Sequence, residues 1–254
     1  MDNNLIEKIK KDAVYAIIPA RSGSKGLIDK NIKDLNGYPL IAYSVAEAIL
    51  SRNIDRVIVS TDSERYAKIA EQYGAEVPFL RPAEFATDES QDIDFMRHVI
   101  QWMADNENII PEYWVHLRVT CPYRDPSIID RSVSEIKLHP ESSSLLSVCV
   151  PQRGPIPYKW LIMKDDYLAS IFFDDADEAN RPRQSYPTAY SRTIYSDIYK
   201  SETIIREDRL FGNKIVPLVT EETHDIDTIL DFEAAGREVN LDPTVMQYLK
   251  THRQ

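Results

Sequence analysis

The apolar run Val14 to Ile18, stopped by Pro19 and followed by a loop rich in glycine, serine and cations, constrains this chain more than any other stretch. Its apolar, β-branched residues predict a short buried strand. Pro19 cannot donate to a sheet ladder and marks the strand's end. In the loop that follows, Gly23 and Gly26 permit backbone turns that aim successive N–H groups at one point. Ser22 and Ser24 add hydroxyl donors, and Arg21, Lys25 and Lys30 add positive charge. Together they predict a cradle for a nucleoside triphosphate. The same residues would also make an ordinary strand-to-helix turn with a solvated basic rim.

The rest of the chain repeats the strand-then-helix theme. Asn36-Gly37 is a turn dipeptide, and Pro39 suits the start of a helix whose apolar face is Leu40, Ile41, Val45, Ala48 and Ile49. Arg56 to Ser60 predicts a second buried strand, Thr61-Asp62-Ser63 a helix cap, and Gly74 the end of the helix Glu64 to Tyr73. A Pro-rich connection precedes a helix over Ile93 to Ala104, for which Thr87, Asp88 or Asp92 is the expected cap. Tyr113 to Leu117 and Leu145 to Val150 predict further strands, with a helix from Asp125-Pro126 to about Leu138 between them. Such alternation implies parallel strands with crossover helices, and ligands at the strands' carboxyl ends. From 151 to 200 helical periodicity gives way to Pro, Tyr and short strands, including a hairpin with Lys164-Asp165-Asp166 at its tip. Lys214 to Val219 predicts a return to the core sheet, and Ile229 to Val239 a closing helix. The expectation is a single domain, 1–254, with 151–200 as an inserted lid or dimerisation segment.

Composition narrows the partners. The chain has 254 residues, 43% of them hydrophobic and 28% charged, which suits one large α/β domain. Its net charge of −11 argues against nucleic acid as a partner, although a small anionic substrate needs only a local positive field. Cys121 and Cys149 are too few for a disulfide framework or a metal cluster. The polar start of the chain lacks a secretory apolar core, and no apolar run approaches the roughly 18 residues of a membrane span. We therefore expect a soluble cytoplasmic protein with no membrane partner.

Asp225-Ile226-Asp227 is the second chemical anchor. In an extended segment residues i and i+2 face the same way, so both carboxylates would serve one site while Ile226 enters the core. Two hard oxygen donors suit Mg²⁺ bound jointly with substrate phosphate. Asp227-Thr228 would also cap the helix that begins near Ile229. A phosphate cradle, an acidic pair and a parallel sheet edge together suit in-line displacement at phosphorus. Cys121 and His224 are expected to be structural, Trp102, Trp114 and Trp160 to be core or interface residues, and Arg206, Asp208 and Arg209 to be surface charges.

Five blocks give the chain a more specific resemblance. They are Pro19 to Gly26 with Lys30-Asn31; Val59 to Ser63; Leu80-Arg81-Pro82 with Thr87-Asp88; Pro182-Arg183-Gln184; and Asp225 to Thr228 with Asp231-Phe232. In order and spacing, from about 13 to 236, the chain resembles the acylneuraminate cytidylyltransferases, which activate nine-carbon 2-keto sugar acids with CTP. The resemblance implies a Rossmann-like, three-layer, mostly parallel α/β fold of the nucleotide-diphospho-sugar transferase type, and a homodimer. It implies that Ala20, Arg21, Ser22, Gly23, Ser24, Lys30, Asn31, Arg81, Ser90 and Asp92 bind the nucleotide. Asp225 and Asp227 would bind Mg²⁺, and with Arg21 and Lys30 form the catalytic set. Arg118, Lys159, Arg183, Gln184 and Thr193 would face an acidic 2-keto-3-deoxy sugar.

Three departures from the family pattern bear on specificity. Leu117-Arg118-Val119-Thr120-Cys121-Pro122-Tyr123-Arg124 places Arg118 where the family has glutamine, a cation suited to a carboxylate or phosphate. Arg192-Thr193-Ile194 replaces the family's Pro-Asn-Gly, and Gln91-Asp92 replaces a serine pair near the base. Two other functions fit the same residues: a nucleotidyltransferase using another base or another acidic sugar or sugar phosphate, and a non-catalytic nucleotide-sugar sensor.

Overall fold

The computed structural model describes residues 3–24, 26–151, 156–223, 225–237 and 241–253. Lys25, His224 and the expected helix end at Val239 lie outside them. After a 3₁₀ turn, Asn3–Lys8, strand β1 runs from Ile9 to Pro19. It is longer than its apolar centre, because Ile9 and Lys10 pair with the start of a neighbouring strand across an irregularity at Asp12. A small hairpin, β2 Asp34–Leu35 and β3 Tyr38–Pro39, closes through Asn36 and Gly37 at φ 55° and 92°. Positive φ at both central residues is what this dipeptide supplies. Helix α1 Leu40–Leu50, strand β4 Arg56–Ser60 and helix α2 Glu64–Gln72 follow, with Ser63 capping α2 through the Tyr66 N–H at 3.4 Å.

Helix α3 spans Asp92–Asn106 and strand β5 Ile110–His116. The α3 cap is Gln91 rather than Thr87, Asp88 or Asp92: Asp94 accepts the Gln91 N–H at 2.9 Å in a capping box, and Asp92 falls inside the first turn. Helix α4 Pro126–Lys137 takes Asp125 as its cap, and strand β6 is Ser144–Cys149. The hairpin β7 Leu161–Lys164 and β8 Tyr167–Ser170 turns at Asp165 and Asp166, both at positive φ. The chain re-enters the main sheet through β9 Ser191–Arg192 and β10 Asp197–Lys200, then forms α5 Ser201–Glu207, β11 Ile215–Val219, α6 Ile229–Arg237 and α7 Pro243–His252.

The central sheet has the order β11-β6-β10-β5-β1-β4, with β9 beside β6. Strands β4, β1 and β5 are parallel, as the alternation predicts, whereas β10 runs antiparallel between β5 and β6 and makes the sheet mixed. The two faces of β1 show why the fold has three layers. Val14, Ala16 and Ile18 join a core with α1, α2, α4 and α7, while Ala13, Tyr15 and Ile17 join another with α3 and α5. Pro19 lies level with Ser60, and Ile17 with His116, so the carboxyl ends of β1, β4 and β5 form one edge. No helix among the described residues is long and apolar enough to cross a membrane.

Candidate nucleotide-transfer site

The glycine loop leaves this edge and is held from both sides. The carboxylate of Asp62, just past β4, accepts the Ser22 N–H at 2.7 Å and the Ser22 hydroxyl at 2.6 Å. The Asn31 side-chain amide donates to the Arg21 carbonyl at 2.9 Å. Gly26 abuts the acidic segment so closely that a Cβ there would fall 2.9 Å from the Asp227 carbonyl oxygen. Lys30 completes the join: its Nζ donates to the Ile226 carbonyl at 2.6 Å and lies 3.2 Å from Asp227 Oδ1. Two segments almost two hundred residues apart in sequence are thus bonded through one buried cation.

Between the end of β1, the glycine loop, Arg81, α3 and the segment after β5 lies a cavity of about 230 Å³. Arg21, Ser24, Lys30, Asn31, Arg81, Ser90, Asp92 and Arg118 line it, so eight of the expected site residues come together. Ala20 and Ser22 are not among the residues that line it; Ala20 is buried and donates its N–H to the Ser60 carbonyl. Gly23, at φ +74°, is exposed at the loop. Arg81 is buried over the Phe95 ring at 4.6 Å, and it donates to the Ser60 hydroxyl at 3.0 Å and the Ser60 carbonyl at 2.7 Å. Burial lowers it to about 10, which leaves it a cation at neutral pH. Arg21 pairs with Asp88 at 2.8 Å, and Arg118 pairs with Asp92. Phe85 and Phe95 add apolar walls suited to a base or ribose face.

The acidic segment behaves as the alternation predicts. Ile226 is fully buried and donates its N–H to the Thr120 carbonyl at 2.9 Å, whereas Asp225 and Asp227 are exposed. Thr228 caps α6: its hydroxyl accepts the Asp231 N–H at 3.2 Å, one half of a capping box. The Asp231 carboxylate accepts the Thr228 N–H and hydroxyl, both at 2.8 Å, and the Asp227 N–H at 3.2 Å. These bonds hold the Asp231 carboxyl below its usual range. The capping function is therefore filled without the Asp225 and Asp227 carboxylates, whose hard oxygens stand clear of the core and fit Mg²⁺ chemistry.

The expected sugar residues other than Arg118 lie elsewhere. Lys159, Arg183 and Gln184 are exposed on the excursion that carries β7 and β8. Arg183 and Gln184 line a second cavity of about 510 Å³ with Trp160, Tyr186 and Tyr190. Thr193 is buried, its hydroxyl 2.8 Å from that of Thr220, and its carbonyl accepts from the Thr223 hydroxyl. It ties the strand entry to the segment leading into Asp225.

Sequence reasoning did not single out what lies beneath the site. Arg124 and Glu47 are both fully buried and pair at 3.1 Å, and Glu47 also accepts the Arg124 N–H at 2.8 Å. Burial pushes the Glu47 carboxyl up while Arg124 pulls it back. Arg124 further donates to the carbonyls of Arg118 at 2.7 Å and Tyr195 at 2.5 Å, fixing the cavity floor to α1 and to the approach to β10. Cys121 is buried and its thiol is raised by burial, which suits the structural role expected of it. Trp114 lies in the core, whereas Trp160 is half exposed on the excursion. Asp208 is exposed but bonded to Arg97 at 2.6 and 2.7 Å.

His116, at the end of β5, is buried with its Nε2 unpartnered, and burial lowers it to about 4. Its surroundings are the Tyr199 hydroxyl at 3.2 Å, the Phe95 ring, and the charges of Asp92, Arg118, Asp197 and Arg192. The unfolded chain binds a proton near pH 6.5 that the folded chain refuses until about pH 4, so stability falls as pH drops through that window. Denaturant titrations should show the parent chain losing about 2 kcal/mol more than His116→Gln between pH 7 and pH 5. Equal losses would place the acid sensitivity elsewhere.

Comparison with known proteins agrees with this geometry. The cytidylyltransferase family pattern matches residues 15–206. An N-acylneuraminate cytidylyltransferase of Escherichia coli O18:K1:H7 is 35% identical over 87% of this chain and 51% of its own length, so the chain spans about half of that relative. A CMP-N,N'-diacetyllegionaminic acid synthase of Campylobacter jejuni is 30% identical over 87% of this chain and 92% of its own. The structure of a CMP:2-keto-3-deoxy-manno-octonic acid synthetase complexed with CTP shares the fold, with a TM-score of 0.66 and 16% identity over 89% of this chain and 97% of its own. With the loop, the basic cavity and the acidic segment joined at one sheet edge, the chain belongs to the cytidylyltransferase family, CTP-dependent nucleotidyltransferases of the acylneuraminate type.

Proposed function

We propose that the chain transfers CMP from CTP to the anomeric hydroxyl of a nonulosonic acid, a nine-carbon 2-keto-3-deoxy sugar acid of the sialic, legionaminic or pseudaminic kind. The observation that carries this reading is the Lys30 join, which puts the glycine loop and Asp227 within one hydrogen-bonded unit beside a cavity rich in cations. Arg21, Lys30, Ser24, Asn31 and the loop N–H groups hold the triphosphate, and Arg81 adds fixed charge nearby. Asp225 and Asp227 would hold Mg²⁺, which when bound supplies positive charge against the phosphate oxygens. The acceptor hydroxyl oxygen bonds to the α-phosphorus, the bond from that phosphorus to the bridging oxygen breaks, and pyrophosphate leaves. The hydroxyl proton passes to a carboxylate of the acidic pair. Positioning and charge neutralisation do most of the work in such a displacement. Lys159, Arg183 and Gln184 belong to the acceptor side, brought in by the excursion or by a second copy's excursion.

That second copy is part of the reading. Among the described residues the β7–β8 hairpin pairs only with itself, and Leu161, Ile162, Met163, Tyr167 and Leu168 are all exposed on it. An isolated two-stranded ribbon is marginal in water, and an apolar one asks for a partner surface. We assign that surface to a homodimer. Buried cysteine thiols and a nucleotide substrate suit the cytoplasm.

One experiment tests the whole. The purified chain, sized by sedimentation, is assayed for pyrophosphate release with CTP, UTP, GTP and ATP against N-acetylneuraminate, N,N'-diacetyllegionaminate and pseudaminate. Turnover restricted to CTP, by a dimer, is the expected result. Preference for another nucleotide would sink the cytidylyl assignment. Tight CTP binding without turnover would favour a sensor, and a monomer would remove the role given to the hairpin.

A further inference from the structure

Among the described residues, Arg118 is the least satisfied cation lining the cavity. It follows β5 directly, and its carbonyl is clamped by Arg124 at 2.7 Å, so its backbone position is fixed. Its side chain lines the cavity, where Nη2 bonds to Asp92 Oδ2. Its Nε is buried with no hydrogen-bond partner. The other described cations of the lining differ. Arg81 spends Nε and Nη2 on Ser60, Lys30 spends its ammonium on Ile226 and Asp227, and Arg21 is paired with Asp88.

A guanidinium edge formed by Nε and one terminal nitrogen matches the two oxygens of a carboxylate. Asp92 engages this edge at one nitrogen only. It is anchored in the first turn of α3 and leaves the second donor stranded. A carboxylate free to orient itself in the cavity would make both bonds and satisfy the stranded Nε. It would compete successfully with Asp92, whose side chain and that of Arg118 are about a quarter and a third exposed, at 26% and 32%. Displaced, the Asp92 carboxylate becomes an acceptor at the cavity wall, suited to the exocyclic amino group of a cytosine.

We infer that Arg118 is the receptor for the carboxylate of the acceptor, and that Asp92 is its displaceable resident partner. This deepens the transfer reading and rests on it for the identity of the acceptor. Two consequences follow. Acceptors with a free carboxylate are selected over neutral ones, because a neutral group cannot replace Asp92. Nucleotide and acceptor also assist one another: whichever takes its half of the ion pair releases the other half, and such coupling is reciprocal.

The test uses the full chain with Arg118→Gln, Arg118→Lys and Asp92→Asn. Substrates are CTP with the three nonulosonic acids named above and the C1 methyl ester of each. The parent chain should prefer acid over ester by about 100-fold or more in kcat/KM, because an ester cannot displace Asp92 and forgoes two charge-assisted hydrogen bonds. Arg118→Gln should cut that preference below about 10-fold and raise the acceptor KM at least tenfold, with CTP affinity by calorimetry kept or tightened, because Asp92 has lost its competing cation. Arg118→Lys, which keeps the charge and loses the fork, should fall between. Asp92→Asn should lower the acceptor KM about threefold or more, because the resident competitor is gone.

Unchanged acid-over-ester preference in Arg118→Gln overturns the inference. So does a tenfold loss of CTP affinity in that variant with acid preference intact, which would assign Arg118 to a nucleotide phosphate. A rise of acceptor KM in Asp92→Asn matching that in Arg118→Gln would make the pair a static unit and overturn the exchange. If none of the acids is turned over, calorimetric binding of the same acids to the CTP-loaded chain decides. Arg118-dependent binding upholds the receptor while the transfer reading fails, and binding indifferent to Arg118 overturns the receptor.

Discussion

Asp227→Asn is expected to reduce kcat by at least about 100-fold while the chain remains folded. The size follows from what the carboxylate is asked to do. In the proposed reaction it supplies a hard anionic oxygen to the metal, and it neutralises Lys30 from 3.2 Å. The isosteric amide keeps the shape and loses the charge. Folding should be spared, because the Asp227 side chain is 72% exposed and its own N–H is held by Asp231. Exposed substitutions of this kind usually stay within about 0.5 kcal/mol. The Ile226 carbonyl also keeps Lys30 in place at 2.6 Å. The measurement pairs steady-state pyrophosphate release with thermal unfolding. A variant with parental kcat would refute the assignment of Asp227 to the transfer step, and a collapsed melting temperature would show that its role is structural.

Much of this site is legible in the sequence because the determinants are local. A positive-φ pair at Asn36-Gly37, a Ser63 cap, an Asp125-Pro126 helix start and the outward-inward-outward pattern of Asp225, Ile226 and Asp227 each carry their own chemistry within a few residues. What the sequence hides is long-range. Strand β10 is four residues long and buries Asp197 and Lys200, so it reads as part of a polar excursion. Its place in the core depends on Ser147, whose N–H and hydroxyl both donate to Asp197 at 3.0 Å, and on Arg192 at 2.5 Å. Nothing near residue 197 announces those partners. The same holds for Asp62 on Ser22 and Ser60 on Arg81, which fix the glycine loop and a cavity cation from a strand end forty and twenty-one residues away. Thr193 sits in a motif position whose usual residues differ, and its hydroxyl serves Thr220 rather than the cavity.

Arg124→Met carries the largest expected cost in stability, about 3–5 kcal/mol. The Arg124 and Glu47 side chains are 0% exposed, so removing the guanidinium strands a carboxylate in the interior. It also frees the carbonyls of Arg118 and Tyr195, which accept from Arg124 in the parent chain. Part of the penalty is relieved if Glu47 takes up a proton, in the direction burial already pushes it. Single domains carry only about 5–15 kcal/mol in total, so the variant should be marginal at room temperature and is best compared in the cold by urea titration. The double variant Glu47→Leu with Arg124→Met separates the pair's own worth from the cost of orphaning one member. Two apolar groups of similar volume should recover most of the loss, because a buried ion pair gains little over a packed apolar one. Activity should not return with stability in that double variant. The Arg118 carbonyl is then no longer clamped, and the cavity floor that presents Arg118 and Thr120 loses its tie to α1. Recovery of both together would mean that the pair supports the fold alone, whereas recovery of stability without turnover identifies Arg124 as the residue that positions the floor of the site.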